Sequence, residues 1–208
     1  MWLPAAPQPE LTVQLLNFDE ERIRLTLEYL RTHNNPALDP EDPAGTFMKP
    51  KVVVLHWTGG RTAAGVMRTF ASSRLRGRAN LQRAGALNVA AHFAVDRDGQ
   101  ITQLMQTTRV GRHTIGLNHI SVGIENVGYE PDYPLTSAQV HANAQLVRWL
   151  HGLHGITHVI GHHEYRRMEG HPYFVELDPN YRTGKVDPGD DFVAAVLERV
   201  ADLGLQRA

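Results

Sequence analysis

The sequence predicts a single α/β domain, a central mixed β-sheet flanked by helices, with a helical N-terminal extension. Three segments carry that expectation. Residues 51–56 (Lys-Val-Val-Val-Leu-His) form a β-branched and aliphatic run suited to a strand buried on both faces. Residues 96–99 (Asp-Arg-Asp-Gly) make an Asp-Gly turn between Phe93, Val95, Ile101 and Leu104, a strong hairpin signal. Thr136 and Gln139 form a capping box ahead of an apolar stripe of Val140, Ala144 and Val147, a helix that Gly155 is suited to end.

The other elements follow in order. Residues 19–33 read as an amphipathic helix, with Asp19 as N-cap and Ile23, Leu27 and Leu30 on one stripe. Residues 35–50 are a Pro- and acid-rich connector with no period. One helix cannot bury a core alone, so residues 1–50 are read as an extension of a domain spanning 51–208. Beyond Gly59-Gly60, residues 62–75 look helical; residues 121–128 and 158–162 are short strands. The last helix runs over 190–203, with Phe192, Val196, Val200 and Leu203 on one side. Residues 163–184 form a long loop carrying Tyr165, Arg166, Arg167, Tyr173 and Phe174. That loop either walls a ligand groove or packs on the N-terminal extension.

Composition removes several classes of function. At 208 residues the chain is long enough to bury a real core, and 42% hydrophobic with 21% charged residues is ordinary for a globular protein. A net charge of −1 argues against general nucleic-acid binding. There is no cysteine, which excludes disulfides, thiol nucleophiles and thiolate metal sites. A metal would therefore need His, Asp or Glu. No apolar run approaches the ~20 residues of a membrane span. The first ten residues hold prolines and no basic segment, so they do not read as a signal peptide. A cytoplasmic protein and an exported chain without its leader both fit that composition. Six arginines and no acid lie between Arg61 and Arg83. They are either a solvated helix face or a landing surface for an anionic substrate.

Twelve histidines call for restraint, since most belong on surfaces and helix faces. His33, His141, His151 and His154 lie on helical stretches without a partner pattern. Three other positions differ. His56 closes the first predicted strand, His162 closes the strand after the long helix, and Asp187 lies in the loop before the last helix. Taken singly, a strand-end histidine is more often structural than a ligand, and no His-Glu-x-x-His helix is present.

Taken together, the segments resemble a known family. They are Val53-Val-Leu-His-Trp-Thr-Gly59, Asn88-Val-Ala-Ala-His-Phe-Ala-Val-Asp-Arg-Asp-Gly-Gln-Ile101, Ser121-Val-Gly-Ile-Glu125, Gly161-His162 and Lys185-Val-Asp-Pro-Gly189. In this order they resemble the type 2 N-acetylmuramoyl-L-alanine amidases, relatives of the peptidoglycan recognition proteins and of phage lysozyme-type amidases. The resemblance covers about residues 51–203.

The resemblance implies a Zn2+ held by His56, His162 and Asp187, with His162 rather than His163 as the second ligand. The family's third ligand is Cys or Asp, and a cysteine-free chain needs the Asp version. Two neutral imidazoles and a carboxylate leave one tetrahedral position open. Glu125 would be the general base and acid, and Lys185 would stabilise the developing oxyanion. The plainer alternatives are a strand carboxylate in a surface ion pair and a lysine paired with Asp187. Trp57, His113 and Asn118 are candidate substrate contacts.

Two departures matter. Phage-type amidases carry a tyrosine just before the His-Phe pair, where this chain has Ala91, so the resemblance narrows to the branch with a glutamate base, that of the anhydromuramyl-peptide amidases. A Trp-His-Ala-Gly stretch common in relatives appears here as Arg112-His113-Thr114. The implied substrate is peptidoglycan or its muropeptide fragments, and the implied place of work is the cell envelope, with a cytoplasmic role as the alternative. A peptidoglycan-binding protein without catalysis and a zinc hydrolase of another amide are the rival readings.

Overall fold

The computed structural model describes residues 6–208; Met1–Ala5, part of the stretch read for a signal peptide, lie outside the described residues. A six-stranded sheet forms the centre. In chain order its strands are β1 (Thr12–Val13), β2 (Val52–Trp57), β3 (Phe93–Val95), β4 (Ile101–Gln103), β5 (Ser121–Asn126) and β6 (His158–Gly161). Their spatial order is β1-β4-β3-β5-β2-β6. β6, β2, β5 and β3 run parallel, β4 is antiparallel to β3, and β1 pairs parallel with β4. The sheet is therefore mixed, as expected. Five α-helices accompany it: α1 (Glu20–His33), α2 (Ala63–Ala71), α3 (Ala79–Gln82), α4 (Ser137–His154) and α5 (Asp190–Arg199).

Side-chain alternation along β2 explains the layering. Val53 and Leu55 join Phe93, Val122, Ile124 and Val159 in the core under α4 and α5, which add Leu146, Val147, Val193 and Val196. Val52 and Val54 point the other way, towards Leu25 and Tyr29 of α1 and towards Leu117, Ile160 and Tyr165. A third cluster sets Val66 and Phe70 of α2 on Ala91, Ala94 and Leu104. β2 is buried on both faces, as its unbroken apolar run requires.

Helix ends follow local chemistry. Asp19 caps α1: its carboxylate accepts from the Arg22 N–H at 2.8 Å and from the Ser73 hydroxyl at 3.0 Å. The capping box at α4 is complete, with Thr136 accepting from the Gln139 N–H and Gln139 accepting from the Thr136 N–H. Gly155 ends α4 in the left-handed conformation at φ 64°. α2 stops at Ala71, short of the expected 75. The Ser72 hydroxyl bonds the backbone of Arg74, and Asn88 takes the carbonyls of Thr69 and Ser72, which ends the helical ladder. The last helix ends at Arg199 and tightens into a 3-10 turn over Ala201–Leu203.

The segment before residue 51 is woven into the fold. β1, two residues long and without a readable pattern, extends the sheet edge. His33, read above as a helix-face residue without a partner, is buried and bonds the buried Glu176 at 2.8 Å and the Ala84 carbonyl at 2.9 Å. Nearby, the Asn34 amide donates to the Val175 carbonyl and the Leu177 N–H to the His33 carbonyl. Loop 163–184 therefore meets the C-terminal end of α1 through Val175, Glu176 and Leu177, and its first turn is a 3-10 helix over His162–Met168. Among the described residues no helix is long and apolar enough to cross a membrane.

Thr136 both receives the Gln139 N–H and donates to the Arg97 carbonyl at 2.7 Å. A T136A variant is expected to lose about 1 kcal/mol of stability. Equilibrium urea unfolding checks this, the midpoint falling while the slope holds.

Candidate metal centre and active-site cleft

The ends of three adjacent parallel strands build the site. β2 and β5 pair with His56 opposite Glu125. β6 pairs with β2 so that Gly161 lies opposite Leu55, which puts His162 one step beyond, beside His56. His56 continues the Val52 and Val54 face, away from α4 and α5, and Glu125 lies on the same side, opposite to Val122 and Ile124. Carboxyl ends of parallel strands are where open α/β sheets take ligands.

Asp187 comes from the loop before α5. His163 holds that loop: its backbone N–H donates to the Asp187 carbonyl at 2.9 Å, and its ring Nδ1 bonds the same oxygen at 3.0 Å. His163 thus faces the loop backbone, whereas His162 faces the site. His56 Nδ1 and His162 Nδ1 are 3.0 Å apart, His162 Nδ1 and Asp187 Oδ2 3.0 Å, and His56 Nδ1 and Asp187 Oδ2 3.3 Å.

This triangle has a specific meaning. Ligand atoms around one tetrahedral zinc at ~2.0–2.1 Å lie about 3.3 Å from one another. Two imidazole nitrogens and a carboxylate oxygen packed this closely repel unless a proton or a cation sits among them. Burial, then the neighbouring His56, lowers the His162 pKa to about 4, so its imidazole is neutral. Burial alone would raise the Asp187 pKa, but hydrogen bonds from His162 and His56 outweigh it and keep the carboxylate ionised. Two imidazole nitrogens with one anionic oxygen are a donor set that fits zinc. A second group, His163, Glu164 and Asp190, is already neutralised by Arg167 and Arg207.

Glu125 stands beside the triangle. Its Oε2 is buried without a protein partner. Burial raises its pKa to about 7, with His56 pulling it down, Asp187 pushing it up, and Arg78 and Lys185 pulling it down. A carboxyl group poised near neutrality can both take and return a proton. It is not the surface ion pair that the plainer reading envisaged.

These groups open into one cleft of about 490 Å3. Trp57, His113, Asn118, Glu125 and Lys185 all line it together with the triangle. Asn118 is committed to structure: its amide oxygen accepts the N–H groups of His113 and Thr114, and its amide nitrogen donates to the Tyr29 hydroxyl. His113 turns its ring towards His56. Of the six arginines, Arg61 and Arg78 line the cleft, whereas Arg74 pairs with Glu21. In loop 163–184, Tyr181 and Thr183 reach the cleft, but Tyr165, Arg166, Arg167, Tyr173 and Phe174 do not line it. Ala91 is fully buried in the cluster under α2 and offers no hydroxyl.

Sequence reading missed two groups at the cleft wall. Arg112 Nε and Thr183 Oγ1 are buried without protein partners and belong to cleft-lining residues, like Glu125 Oε2. Arg78 adopts φ +53°, a left-handed conformation rare outside glycine, at the cleft wall. No local pattern announces the Arg112 and Thr183 groups, because each depends on what the fold brings opposite; Arg78 belongs to the arginine run noted above.

The N-acetylmuramoyl-L-alanine amidase family model matches residues 46–190, which include His56, Glu125, His162, Lys185 and Asp187. The chain belongs to that family. Solved structures agree on the fold. The N-acetylmuramoyl-L-alanine amidase LysC from Clostridium intestinale URNW is 21% identical with a TM-score of 0.54, over 76% of this chain and 88% of that one. A mutant endolysin from Bacillus subtilis is 19% identical with a TM-score of 0.51, covering 90% of this chain and 98% of that one. The human peptidoglycan recognition protein PGRP-IBETAC, solved in complex with glycosamyl muramyl pentapeptide, is 18% identical with a TM-score of 0.51, covering 72% and 83%. No curated protein sequence matches this chain.

His92 of the amidase domain gives a pH prediction. Its Nδ1 accepts the Gly123 N–H at 3.0 Å and its Nε2 bonds the Arg109 carbonyl at 2.8 Å. Burial lowers its pKa from 6.5 to about 4, so the unfolded chain takes up that proton first. The stability tied to neutral His92 is complete above pH 6.5 and drains away as pH falls towards 4. In an H92Q variant, the slope of unfolding free energy against pH in that window should be shallower by about 1.4 kcal/mol per pH unit. Urea titrations at several pH values measure it.

Proposed function

We propose that this member of the family is a zinc-dependent N-acetylmuramoyl-L-alanine amidase. It would hydrolyse the amide between the lactyl group of N-acetylmuramic acid and the L-alanine of the stem peptide. The observation that carries the reading is the triangle of His56 Nδ1, His162 Nδ1 and Asp187 Oδ2 beside a buried, partnerless Glu125 carboxyl oxygen. A zinc ion bound by those three residues supplies Lewis-acid polarisation of the scissile carbonyl and acidifies water.

The chain's own groups then divide the work. Glu125 takes a proton from the attacking water at its free Oε2, and the water oxygen bonds to the lactyl carbonyl carbon. As the carbon–nitrogen bond breaks, Glu125 returns the proton to the alanine nitrogen. A carboxylic acid and a free amine result, and the acid then gives its remaining proton to the amine or to solvent. Lys185, whose charge acts on both Glu125 and His162, offsets the negative charge that grows on the carbonyl oxygen. Arg61 and Arg78 supply a cationic wall for the carboxylates of the stem peptide. A related fold is known in complex with a muramyl pentapeptide, which supports a ligand of this class. We take the site of action to be the cell envelope, on intact peptidoglycan or its muropeptide fragments.

Chelation should abolish release of stem peptide and added zinc should restore it; activity indifferent to chelation sinks the metal assignment. E125A should retain wild-type zinc content while turnover falls by about 10²–10⁴-fold. Parallel assays on sacculi and on soluble anhydromuropeptides separate the two substrate forms. Binding of sacculi without any release would favour a recognition protein instead.

A further inference from the structure

The histidine next to the triangle, His113, has hydrogen-bond partners at both ring nitrogens. His113 Nε2 lies 3.2 Å from the Ser121 carbonyl, and a carbonyl only accepts. The ring proton therefore sits on Nε2, and Nδ1 carries a lone pair. That lone pair lies 3.2 Å from His56 Nε2. A His56 Nε2–H aimed at that lone pair leaves His56 Nδ1 available to a metal at the corner of the triangle.

The surroundings hold the ring in that pose. The Asn118 amide oxygen clamps the N–H groups of His113 and Thr114 at 2.8 and 2.7 Å. Asn118 is itself tied to the hydroxyl of Tyr29 on α1 at 3.1 Å. Gly123, opposite Val54 in the sheet, leaves the room: a Cβ there would come within 2.8 Å of the His113 ring. A glycine inside a buried strand often marks such a close approach. The Thr114 hydroxyl, 3.5 Å from His56 Nε2 and 2.9 Å from His113 Nδ1, is the other acceptor within reach.

We propose that His113 is a positioning residue for the metal ligand His56, fixing through the His56–His113–Ser121 chain the tautomer that lets His56 bind zinc through Nδ1. This rests on the zinc reading above. Partners of this kind typically contribute 10–100-fold to metal affinity.

The test is zinc affinity, measured on the full chain by competition with a chromophoric chelator, alongside thermal unfolding of the zinc-free protein. H113F keeps the ring volume and removes the acceptor; its zinc affinity should fall 10–100-fold while the zinc-free melting temperature stays near wild type. H113N, whose Oδ1 can stand where Nδ1 stood, should recover most of the loss. T114V should bind zinc within a few-fold of wild type. H113F binding zinc as tightly as wild type overturns the proposal, and so does a T114V loss that matches or exceeds the H113F loss. Should H113F not fold, G123A carries the test by displacing the ring; unchanged affinity there overturns the proposal as well. A wild-type chain that takes up no zinc overturns the metal assignment itself, and this inference with it.

Discussion

Parallel pairing of β2 with β5 on one side and β6 on the other places His56, Glu125 and His162 side by side, and the rest of the site depends on that register. In a strand, side chains alternate between faces, so a slip of one residue would send any one of the three to the opposite side. The register is held by burial. Val53, Leu55, Val122, Ile124 and Val159 fill the core under α4 and α5 only in this alignment, and the polar ends of the strands are then left facing the cleft. The same packing that stabilises the sheet delivers the chemistry to its edge.

Burial also sets the protonation states. Removing charge from water costs several kcal/mol, so the buried groups settle into whichever forms their neighbours support. His162 becomes a neutral imidazole, Asp187 remains an anion because two imidazoles hold it, and the buried Glu125 carboxyl has its pKa raised to about 7. Three residues within one small volume thus hold different protonation states, and the two carboxyl groups differ only through their neighbours.

The N-terminal segment matters to the site although it contributes no ligand. Tyr29 on α1 holds Asn118, which holds the His113 loop, and His33 holds Glu176 in the loop whose later residues, Tyr181 and Thr183, face the cleft. Arg112 ties the same region together by donating to the carbonyls of Leu81, Gly85 and Leu87 and to the Tyr181 hydroxyl. These links run between segments far apart in the chain, so each rigidifies the cleft wall at the expense of chain entropy already lost in forming the core.

Much of this was legible in the linear chain. The buried strand, the Asp-Gly hairpin, the capped helices and the conjunction of His56, Glu125, His162, Lys185 and Asp187 all rest on local propensity or on motif order, which a sequence carries explicitly. Absence of cysteine left only oxygen and nitrogen donors for a metal, a conclusion no fold is needed to reach. Tertiary structure alone decided the rest. It paired β1 with the sheet edge, buried His33 against Glu176, and set the His113 ring beside His56 across the space left by Gly123. Those outcomes depend on which side chains meet across sequence separations of tens of residues, and a meeting of that kind has no local signature.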